Sequence, residues 1–198
     1  MLLKLNDLFD AIIVVNLDRR PDRLAAITHQ LDSLQVTWKR WPAIDDRGTD
    51  MTPIFCNVMN AVNRLFYAQW KEYKHVLLLD DDCEFVPNFE AKLDEVWPSI
   101  PDDWDTVSFG DHLISATPIT DKIQKIHESY GGHATAIKMS CVPILLNGFK
   151  GKNFADLELN AMSGDLNRYV IEPGLIGQGK YESDLVGGIR PNLYNLWQ

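Results

Sequence analysis

The stretch His75-Val-Leu-Leu-Leu-Asp-Asp-Asp82 decides the fold class of this chain. Its four apolar residues run directly into three carboxylates. A continuous apolar run that ends in a polar stop is typical of a strand buried on both faces of a mainly parallel sheet. Ligands of open α/β sheets bind at the carboxyl ends of such strands. The three aspartates are therefore expected at a binding site.

The same three aspartates predict a metal. Adjacent carboxylates repel one another, and a bound divalent cation is the simplest way to offset that repulsion. Carboxylate oxygens are hard ligands that suit Mn²⁺ or Mg²⁺. In an extended segment Asp80 and Asp82 point to one side and Asp81 to the other, which makes an Asp-x-Asp pair able to hold a metal and, through it, a diphosphate. The alternative is a solvated acidic turn after a core strand.

Composition narrows the classes of function. The 198 residues predict a single domain, and a hydrophobic content of 45% is enough for a real core. A net charge of −9, a pI near 4.9 and the absence of a basic stripe argue against a nucleic-acid partner. Cys56, Cys83 and Cys141 are widely spaced, which indicates free thiols in a reducing compartment. Since no stretch is typical of a secretory signal or a membrane span, a cytoplasmic protein is expected.

The order of predicted elements indicates an α/β fold. A second apolar strand covers residues 11–16, and a helix follows from Pro21 to Leu34 with Asp18 as its candidate cap. Further strands are predicted at 36–41, at the apolar run 76–79 and at 104–109, and helices at 53–73 and 87–97. This alternation predicts a Rossmann-like, nucleotide-binding half over residues 1–110.

The later half, residues 111–198, is more mixed and is predicted to be the acceptor side with a closing tail. Strands at 122–130 and 133–139 are expected to form a hairpin at Gly131-Gly132. Short helices at 142–146 and 156–166 and a strand at 169–172 follow. The tail from 174 to 198, rich in Gly, Pro and Asn, is expected to wrap the surface or close over a site.

Several polar side chains are candidates for chemistry. Arg19, Arg20 and Arg23 follow the first strand, where guanidinium forks suit phosphate recognition. The alternative is a solvated basic turn, although positive charge at a helix N-terminus opposes the macrodipole and so favours a function. Asn16, at the end of that strand, could read a base or a ribose edge.

Other candidates lie in the later half. Asp156 is either a helix cap or a general base that deprotonates an acceptor hydroxyl. His133 is a metal ligand, an acceptor contact or an ordinary strand residue. Ser183-Asp184 pairs a hydroxyl with a carboxylate in a loop able to fold over a ligand, or forms a plain turn. Kinase-like, dinucleotide-binding and serine-hydrolase motifs are absent from the sequence.

Taken in order, several segments resemble glycosyltransferase family 25, which includes bacterial lipooligosaccharide galactosyltransferases. The first three are Asn16-Leu-Asp-Arg-Arg-Pro-Asp-Arg23, Ala43-Ile-Asp45 and Leu77-Leu-Leu-Asp-Asp-Asp82. Later segments are similar to family motifs too: Gly132 to Ser140, Asp156 to Leu159, and Pro173 to Gln178 followed by Ser183-Asp184. The chain departs from the family at Met59 and Asn60, where a Ser-His pair is usual, and at Asp80, where Glu is more common.

The resemblance implies a GT-A-type, Rossmann-like nucleotide-diphospho-sugar transferase fold with a mixed central sheet and flanking helices. It also implies an inverting, Mn²⁺- or Mg²⁺-dependent transfer of a hexose, with galactose as the first expectation. The donor would be a UDP-sugar, and the acceptor a glycan or a lipid-linked hydroxyl, as in lipopolysaccharide biosynthesis.

Carried over residue by residue, the resemblance implies these roles. Asp80 and Asp82 would hold the metal, and Asp156 would be the base. The residues that contact the nucleotide sugar would be Asn16, Arg19, Arg20, Arg23, Asp45, Asp80, Asp81, Ser183 and Asp184. Because of the departures, a degenerate module that binds a sugar nucleotide or a protein without catalysis is the main alternative. A metal-dependent phosphohydrolase is the third.

Overall fold

The computed structural model describes residues 2–182, 184 and 195–198. The elements of its first half are α1 (Leu5–Leu8), β1 (Ala11–Asn16), α2 (Pro21–Ser33), β2 (Lys39–Pro42), α3 (Pro53–Trp70), β3 (His75–Asp80), β4 (Cys83–Phe85), α4 (Phe89–Val96) and β5 (Thr106–Ser108). Those that follow are β6 (His112–Pro118), β7 (Ile123–Tyr130), β8 (Ala134–Lys138), α5 (Val142–Gly148), α6 (Ala155–Ala161), β9 (Arg168–Ile171) and β10 (Ile176–Gln178). Short 3₁₀ turns lie at Trp97–Ser99 and Met139–Cys141.

Eight of the strands in the described residues form one mixed sheet in the order β2-β1-β3-β8-β5-β9-β7-β6. β1 is parallel to both β2 and β3, with α2 and α3 as the connections. β8 comes from the later half and lies antiparallel between β3 and β5. The predicted α/β class with a mixed central sheet is therefore confirmed, and one sheet runs through both halves of the chain.

The core explains why the strands that decide the fold are continuously apolar. Ile12, Val14, Leu77 and Leu79 belong to one buried cluster on one face of the sheet. Ile13, Val76 and Leu78 belong to a second cluster, where they meet Leu65, Ala68 and Leu145 from the helices. Since helices cover both faces, neither β1 nor β3 has a face that tolerates polar residues.

The predicted hairpin at Gly131-Gly132 is wrong. β7 pairs with β6 and β9, whereas β8 pairs with β3 and β5. β8 is buried at four of its five positions, which suits the sheet centre, while β7 is buried at only three of its eight positions. The partner of β7 is β6, which sequence reasoning missed because its residues are mostly exposed and show no hydrophobic alternation.

Three further predictions need correction. Asp18 does not cap α2, since the cap position is Arg20 and Asp18 instead pairs with Arg40. The strand predicted at 36–41 is β2, three residues later. The tail is predicted to wrap the surface or close over a site; instead of lying on the surface it begins in the core, where Leu175 and Ile176 are fully buried and β10 pairs with β4, and its residues 178–181 line a cleft. Among the described helices, none combines the length and apolar character that crossing a bilayer requires.

Candidate active site

A cleft of about 520 Å³ opens where β1 and β3 end at their carboxyl termini. Arg23 and the acidic turn line one side of it, and Gly131, Gly132 and Asp156 line the opposite side. Its size falls in the range of roughly 300–1,000 Å³ that is typical of small-molecule sites. The cleft therefore brings candidate residues from both halves of the chain to one place.

The acidic segment forms a turn, and the predicted alternation of its side chains is wrong. Residues 81–82 connect β3 to β4 as a turn, so Asp81 and Asp82 face the same guanidinium. Arg23 Nη1 lies 3.1 Å from Asp81 Oδ1 and 3.5 Å from Asp82 Oδ2. The turn is fixed from behind by His133, whose carbonyl accepts hydrogen bonds from the backbone of Asp80 and from the thiol of Cys83.

Asn16 organises this turn from beneath. It is buried, and its amide nitrogen donates to Asp81 Oδ2 at 2.7 Å and to the Arg20 carbonyl at 3.0 Å. Its amide oxygen accepts from Arg40 Nε at 3.0 Å. Asn16 thus links the end of β1, the start of α2 and the acidic turn, and its contact with a nucleotide stays a prediction.

The three arginines converge on one carboxylate. Arg19 and Arg20 both form ion pairs with Asp184, and Arg23 Nη2 lies 3.4 Å from it. Arg23 Nη2 also donates to the Glu182 carbonyl at 2.6 Å, and its guanidinium stacks on the Tyr181 ring. Burial raises the pKa of Asp184, but its hydrogen bonds to Arg19 and Arg20 outweigh that effect and lower it overall. A carboxylate held by three guanidinium groups marks an anion-binding position.

Asp45 and Asn60 position the neighbouring loop. Asp45 accepts a hydrogen bond from Arg19 Nε at 2.7 Å and so lies beside the arginines, and its contact with a nucleotide sugar stays a prediction. Asn60, on α3, accepts from the backbone N–H of Ile44 at 2.8 Å and donates to its carbonyl at 3.3 Å. Asn60, one of the residues at which the chain departs from the motif, therefore has a defined structural role. Ser183 lies outside the described residues.

Arg64 is a site residue that sequence reasoning missed. It projects from α3 into the cleft, is buried, and donates to the carbonyls of Asn60 and Leu79. Its Nη1 lies 3.9 Å from Asp80 Oδ1. A single Arg within an apolar helical pattern gives no sequence signal, so only the helix packing reveals that it faces the aspartates.

Across the cleft, Asp156 holds the glycine turn. It occupies the second position of α6, whose cap is Phe154, so the cap interpretation of Asp156 is wrong. Its Oδ2 accepts from the Gly131 N–H at 3.2 Å, and burial raises its pKa. Asp111 accepts from the Gly132 N–H at 3.0 Å. Two carboxylates thus clamp a turn with positive φ angles at both glycines.

A buried polar network lies behind this turn, and its members were also missed. Asp111 accepts from Ser129 Oγ at 2.9 Å, and Arg168 Nη2 donates to the same hydroxyl at 3.4 Å. Arg168 also donates to Asn160 Oδ1 and Ser163 Oγ. The charge of this buried arginine balances Asp111 and Asp156. The network holds Asp111, which together with Asp156 fixes the glycine turn.

Two other predicted candidates have structural roles. His133 is fully buried, and its Nε2 lies 2.9 Å from the Ile176 carbonyl, so its role is structural, but it directly precedes β8 and is not the strand residue that one interpretation expected. The three cysteines are free and buried. Burial raises the pKa of Cys83 well above its usual value, so its thiol is unreactive and acts in packing.

The aspartates fit a divalent cation as a partial ligand set. Asp80 and Asp82 both line the cleft, and Mg²⁺ typically binds one or two carboxylates together with substrate phosphates rather than a complete protein cage. Among the described residues, no group of three or more His, Cys, Asp or Glu side chains could hold a metal ion. The pKa of Asp80 is raised to about 7 by burial and by repulsion from Asp82 and Asp81, although Arg64 opposes the shift. A cation would offset this repulsion.

The raised pKa of Asp80 predicts that its carboxylate lowers the stability of the folded protein in a pH-dependent way. Its folded pKa lies above the unfolded value of about 3.9, so the folded protein binds more protons between the two values and loses stability as the pH rises from about 4 to 7. We expect Asp80→Asn to raise the Tm at pH 8 in the presence of a chelator, with the gain disappearing near pH 4. Thermal denaturation across this pH range measures the difference.

Asp22→Asn is the matched control with the opposite sign. The hydrogen bond from Arg20 lowers the pKa of Asp22 to about 2, so its stabilising effect is complete above pH 4 and lost as the pH falls through 2. That variant should therefore lose stability at pH 8. Equal Tm values for Asp80→Asn and the parent at every pH would contradict the environment described for Asp80.

Comparison with solved structures identifies the fold class. The crystal structure of a glycosyltransferase involved in the glycosylation of the major capsid of PBCV-1 matches with a TM-score of 0.52 and 10% identity, over 88% of this chain and 95% of that one. The crystal structure of A197 from STIV matches with a TM-score of 0.51 and 11% identity, over 95% of this chain and 97% of that one. The chain thus has the GT-A-type fold of nucleotide-diphospho-sugar transferases. No protein-family model matches the sequence, and no curated protein matches it either.

Proposed function

We propose that this protein is a glycosyltransferase that moves a hexose from a UDP-sugar to a hydroxyl acceptor on a glycan or lipid-linked sugar. Galactose is the donor sugar we would test first, and Mn²⁺ or Mg²⁺ the cofactor. The observation that carries the proposal is the cleft at the carboxyl ends of β1 and β3, which is lined by Arg19 and Arg23 of the arginine cluster, by the acidic turn and by the partly buried carboxylate of Asp156.

The arginines supply the diphosphate site in this proposal. Arg19 and Arg20 now bind Asp184, so a diphosphate that uses the same guanidinium groups must displace that carboxylate. In this proposal, Asp184 occupies the position that the phosphates would take, and it competes with them for the guanidinium groups of Arg19 and Arg20. Asn16, at the end of β1, lines the cleft where the nucleoside would lie, and Asp45, in the loop after β2, holds Arg19 beside it.

Asp80 and Asp82 would hold the metal. When bound, a divalent cation supplies Lewis-acid stabilisation of the charge that develops on the leaving diphosphate. The chain's own contribution is to keep these carboxylates from pairing fully with arginine. Arg64 approaches Asp80 no closer than 3.9 Å, and Arg23 approaches Asp82 no closer than 3.5 Å.

Asp156 is the proposed base. It takes the proton of the acceptor hydroxyl as that oxygen attacks the anomeric carbon, while the bond from this carbon to the diphosphate oxygen breaks on the opposite face. One displacement inverts the configuration and requires one base and no covalent intermediate. The raised pKa of Asp156 brings the carboxylate closer to the working pH, where a general base is most efficient.

The acceptor would enter beside His112 and Tyr130. Their rings are stacked with centroids 6.3 Å apart, both line the cleft, and Tyr130 is partly exposed. An aromatic surface next to the base offers an apolar face for a sugar ring.

A thermal-shift titration with UDP, with and without Mn²⁺, tests the proposal. Ligand at about 100 Kd should add about 2.7 kcal/mol, or roughly 5–11 °C in Tm for a chain of this size. We expect the full shift to need both ligands and to lose its Mn²⁺ dependence in Asp82→Asn. UDP release from UDP-galactose and UDP-glucose then measures donor use. The absence of any shift with UDP would overturn the proposal.

The second candidate function is a sugar-nucleotide-binding module without catalysis. The observation in its favour is Asn60, which replaces a family His and is fully engaged with the Ile44 backbone. In that case UDP binds, but neither donor hydrolysis nor transfer exceeds background with any acceptor.

A further inference from the structure

The outward face of α3 exposes large apolar side chains. Phe55, Phe66 and Trp70 are 41%, 53% and 73% exposed. Met59 and Val62 lie between them at helical spacing and are partly buried, so the five side chains form one continuous stripe. We call these five residues the α3 stripe. Three large exposed hydrophobic groups on one helix face indicate an interaction surface.

The charge around the α3 stripe is unusual for this protein. No Asp or Glu occurs between Met51 and Lys71, although the chain has 28 acidic residues and a net charge of −9. The single charged residue of α3, Arg64, is buried and faces the cleft. The exposed face of this helix therefore carries no negative charge in an otherwise acidic molecule.

Lysines border both ends of the stripe. At the C-terminal end, Lys71 Nζ lies 4.5 Å from the Trp70 ring centroid, and Lys39 Nζ lies 5.0 Å from the ring of Tyr67, a neighbour of Trp70. At the N-terminal end, Phe55 packs against Gly151, where a Cβ would come within 3.0 Å of its ring. The residues on either side of this glycine are the exposed Lys150 and Lys152.

We propose that the α3 stripe docks this protein onto a membrane surface that contains anionic lipids, with α3 lying in the plane of the interface. Trp and Phe favour the headgroup level, and lysines beside them are attracted by lipid phosphates. A second copy of the chain fits less well. Both ends of the stripe are basic, so a two-fold contact would bring lysines against lysines.

The docking also has a consequence that rests on the proposed function. The inner face of α3 lines the cleft through Asn57, Asn60 and Arg64. Docking by the outer face would hold the cleft about one helix diameter, roughly 10 Å, from the lipid headgroups. This placement favours an acceptor carried on a membrane lipid over a free sugar.

Co-sedimentation with vesicles tests the proposal. Vesicles of phosphatidylcholine and phosphatidylglycerol at 7:3 should bind the parent protein, and vesicles of phosphatidylcholine alone should bind it much less. Phe66→Ser with Trp70→Ser should reduce binding at least tenfold. Lys39→Gln and Lys71→Gln should each reduce it roughly fivefold, the effect of one basic residue near an anionic surface.

The matched control is Ile114→Ser with Ile119→Ser, which removes two apolar side chains of similar exposure at and just after β6. This control should bind vesicles like the parent. Equal loss in the two double variants, or no binding of the parent to anionic vesicles, would overturn the proposal. So would a concentration-dependent dimer that Phe66→Ser with Trp70→Ser dissociates, because the stripe would then be a contact between copies.

The vesicle experiment can fail or succeed independently of the test of the proposed function. UDP-dependent thermal shifts should be the same in the parent and in Phe66→Ser with Trp70→Ser, since these side chains face away from the cleft. Vesicle binding without a UDP shift would retain the docking surface and reject the nucleotide site. A UDP-dependent thermal shift without vesicle binding would retain the nucleotide site and reject the docking surface.

Discussion

Asp156→Asn should lower kcat for hexose transfer about 10²–10⁴-fold, the usual contribution of a general base, while leaving UDP affinity unchanged. Asn has the same shape and keeps an oxygen that can accept the hydrogen bond from Gly131, so the glycine turn should remain in place. What the variant loses is the ability to take the proton of the acceptor. Initial rates of UDP release with acceptor, and UDP-induced thermal shifts, measure the two effects separately.

Two variants control for this measurement. Asp165→Asn removes an exposed carboxylate a few residues after α6 and should leave kcat unchanged. Glu158→Gln changes the neighbouring carboxylate on α6, which accepts hydrogen bonds from the backbone N–H groups of residues 150–153. That variant should lower the Tm more than kcat. Activity in Asp156→Asn within threefold of the parent would show that the base lies elsewhere, with Asp111 the next carboxylate to test.

The positions of Asp156 and its supports illustrate what the sequence can and cannot reveal. Asp156 stands out because it opens a helical segment, and the resemblance to a family motif assigns it a role. Asp111 and Arg168 have no such signal, because the residue that links them, Ser129, is 18 residues from Asp111 and 39 residues from Arg168 along the chain. Only the pairing of β5 with β9 and β7 with β9 brings them together beneath the glycine turn.

The same reasoning explains the fold predictions. β1 and β3 are recognisable because burial on both faces requires an unbroken apolar run. β6 has one neighbour and few buried residues, so its sequence shows no period, and the glycines after β7 then look like a hairpin turn. Local signals identify central strands well, but the order of strands in a mixed sheet depends on long-range pairing.

The acidic segment shows a third limit. Alternation predicts that Asp81 points away from Asp82, but the strand ends at Asp80 and the next two residues turn. Arg23, 58 residues earlier, then contacts both carboxylates. The chemistry of the residues was readable from the sequence, whereas the partner that neutralises them was not.

Arg23→Gln is expected to destabilise the folded protein by about 3–5 kcal/mol, the usual cost of breaking a buried ion pair. The side chains of Arg23 and Asp81 are each 8% exposed, and Nη1 lies 3.1 Å from Asp81. Burial already raises the pKa of Asp81, so the loss of its cation leaves a charge that the surrounding protein cannot solvate. The Tm should fall by roughly 6–20 °C for a chain of this size.

Arg47→Gln is the control for the loss of one positive charge, because Arg47 is exposed. It should change the Tm by no more than about 1 °C, since substitutions of exposed surface residues usually have small effects on stability. The decisive variant is Arg23→Gln combined with Asp81→Asn. Replacing both members of a buried pair removes the uncompensated charge, so most of the lost stability should return. A double variant no more stable than Arg23→Gln would mean that Arg23 stabilises the fold through its other contacts, with Asp82, Asp184, Glu182 and Tyr181.

The restored double variant also separates the two roles of Arg23. If Arg23 acts only in the fold, the stable double variant should bind UDP like Asp81→Asn alone, since Asp81 also lines the cleft. If its guanidinium also contacts the diphosphate, as proposed, UDP affinity should stay at least tenfold weaker although the Tm has recovered, because a charged hydrogen bond to an oxyanion is missing. The second result is the one we expect, since Arg23 lies 3.4 Å from Asp184, the carboxylate that now occupies the anion-binding position.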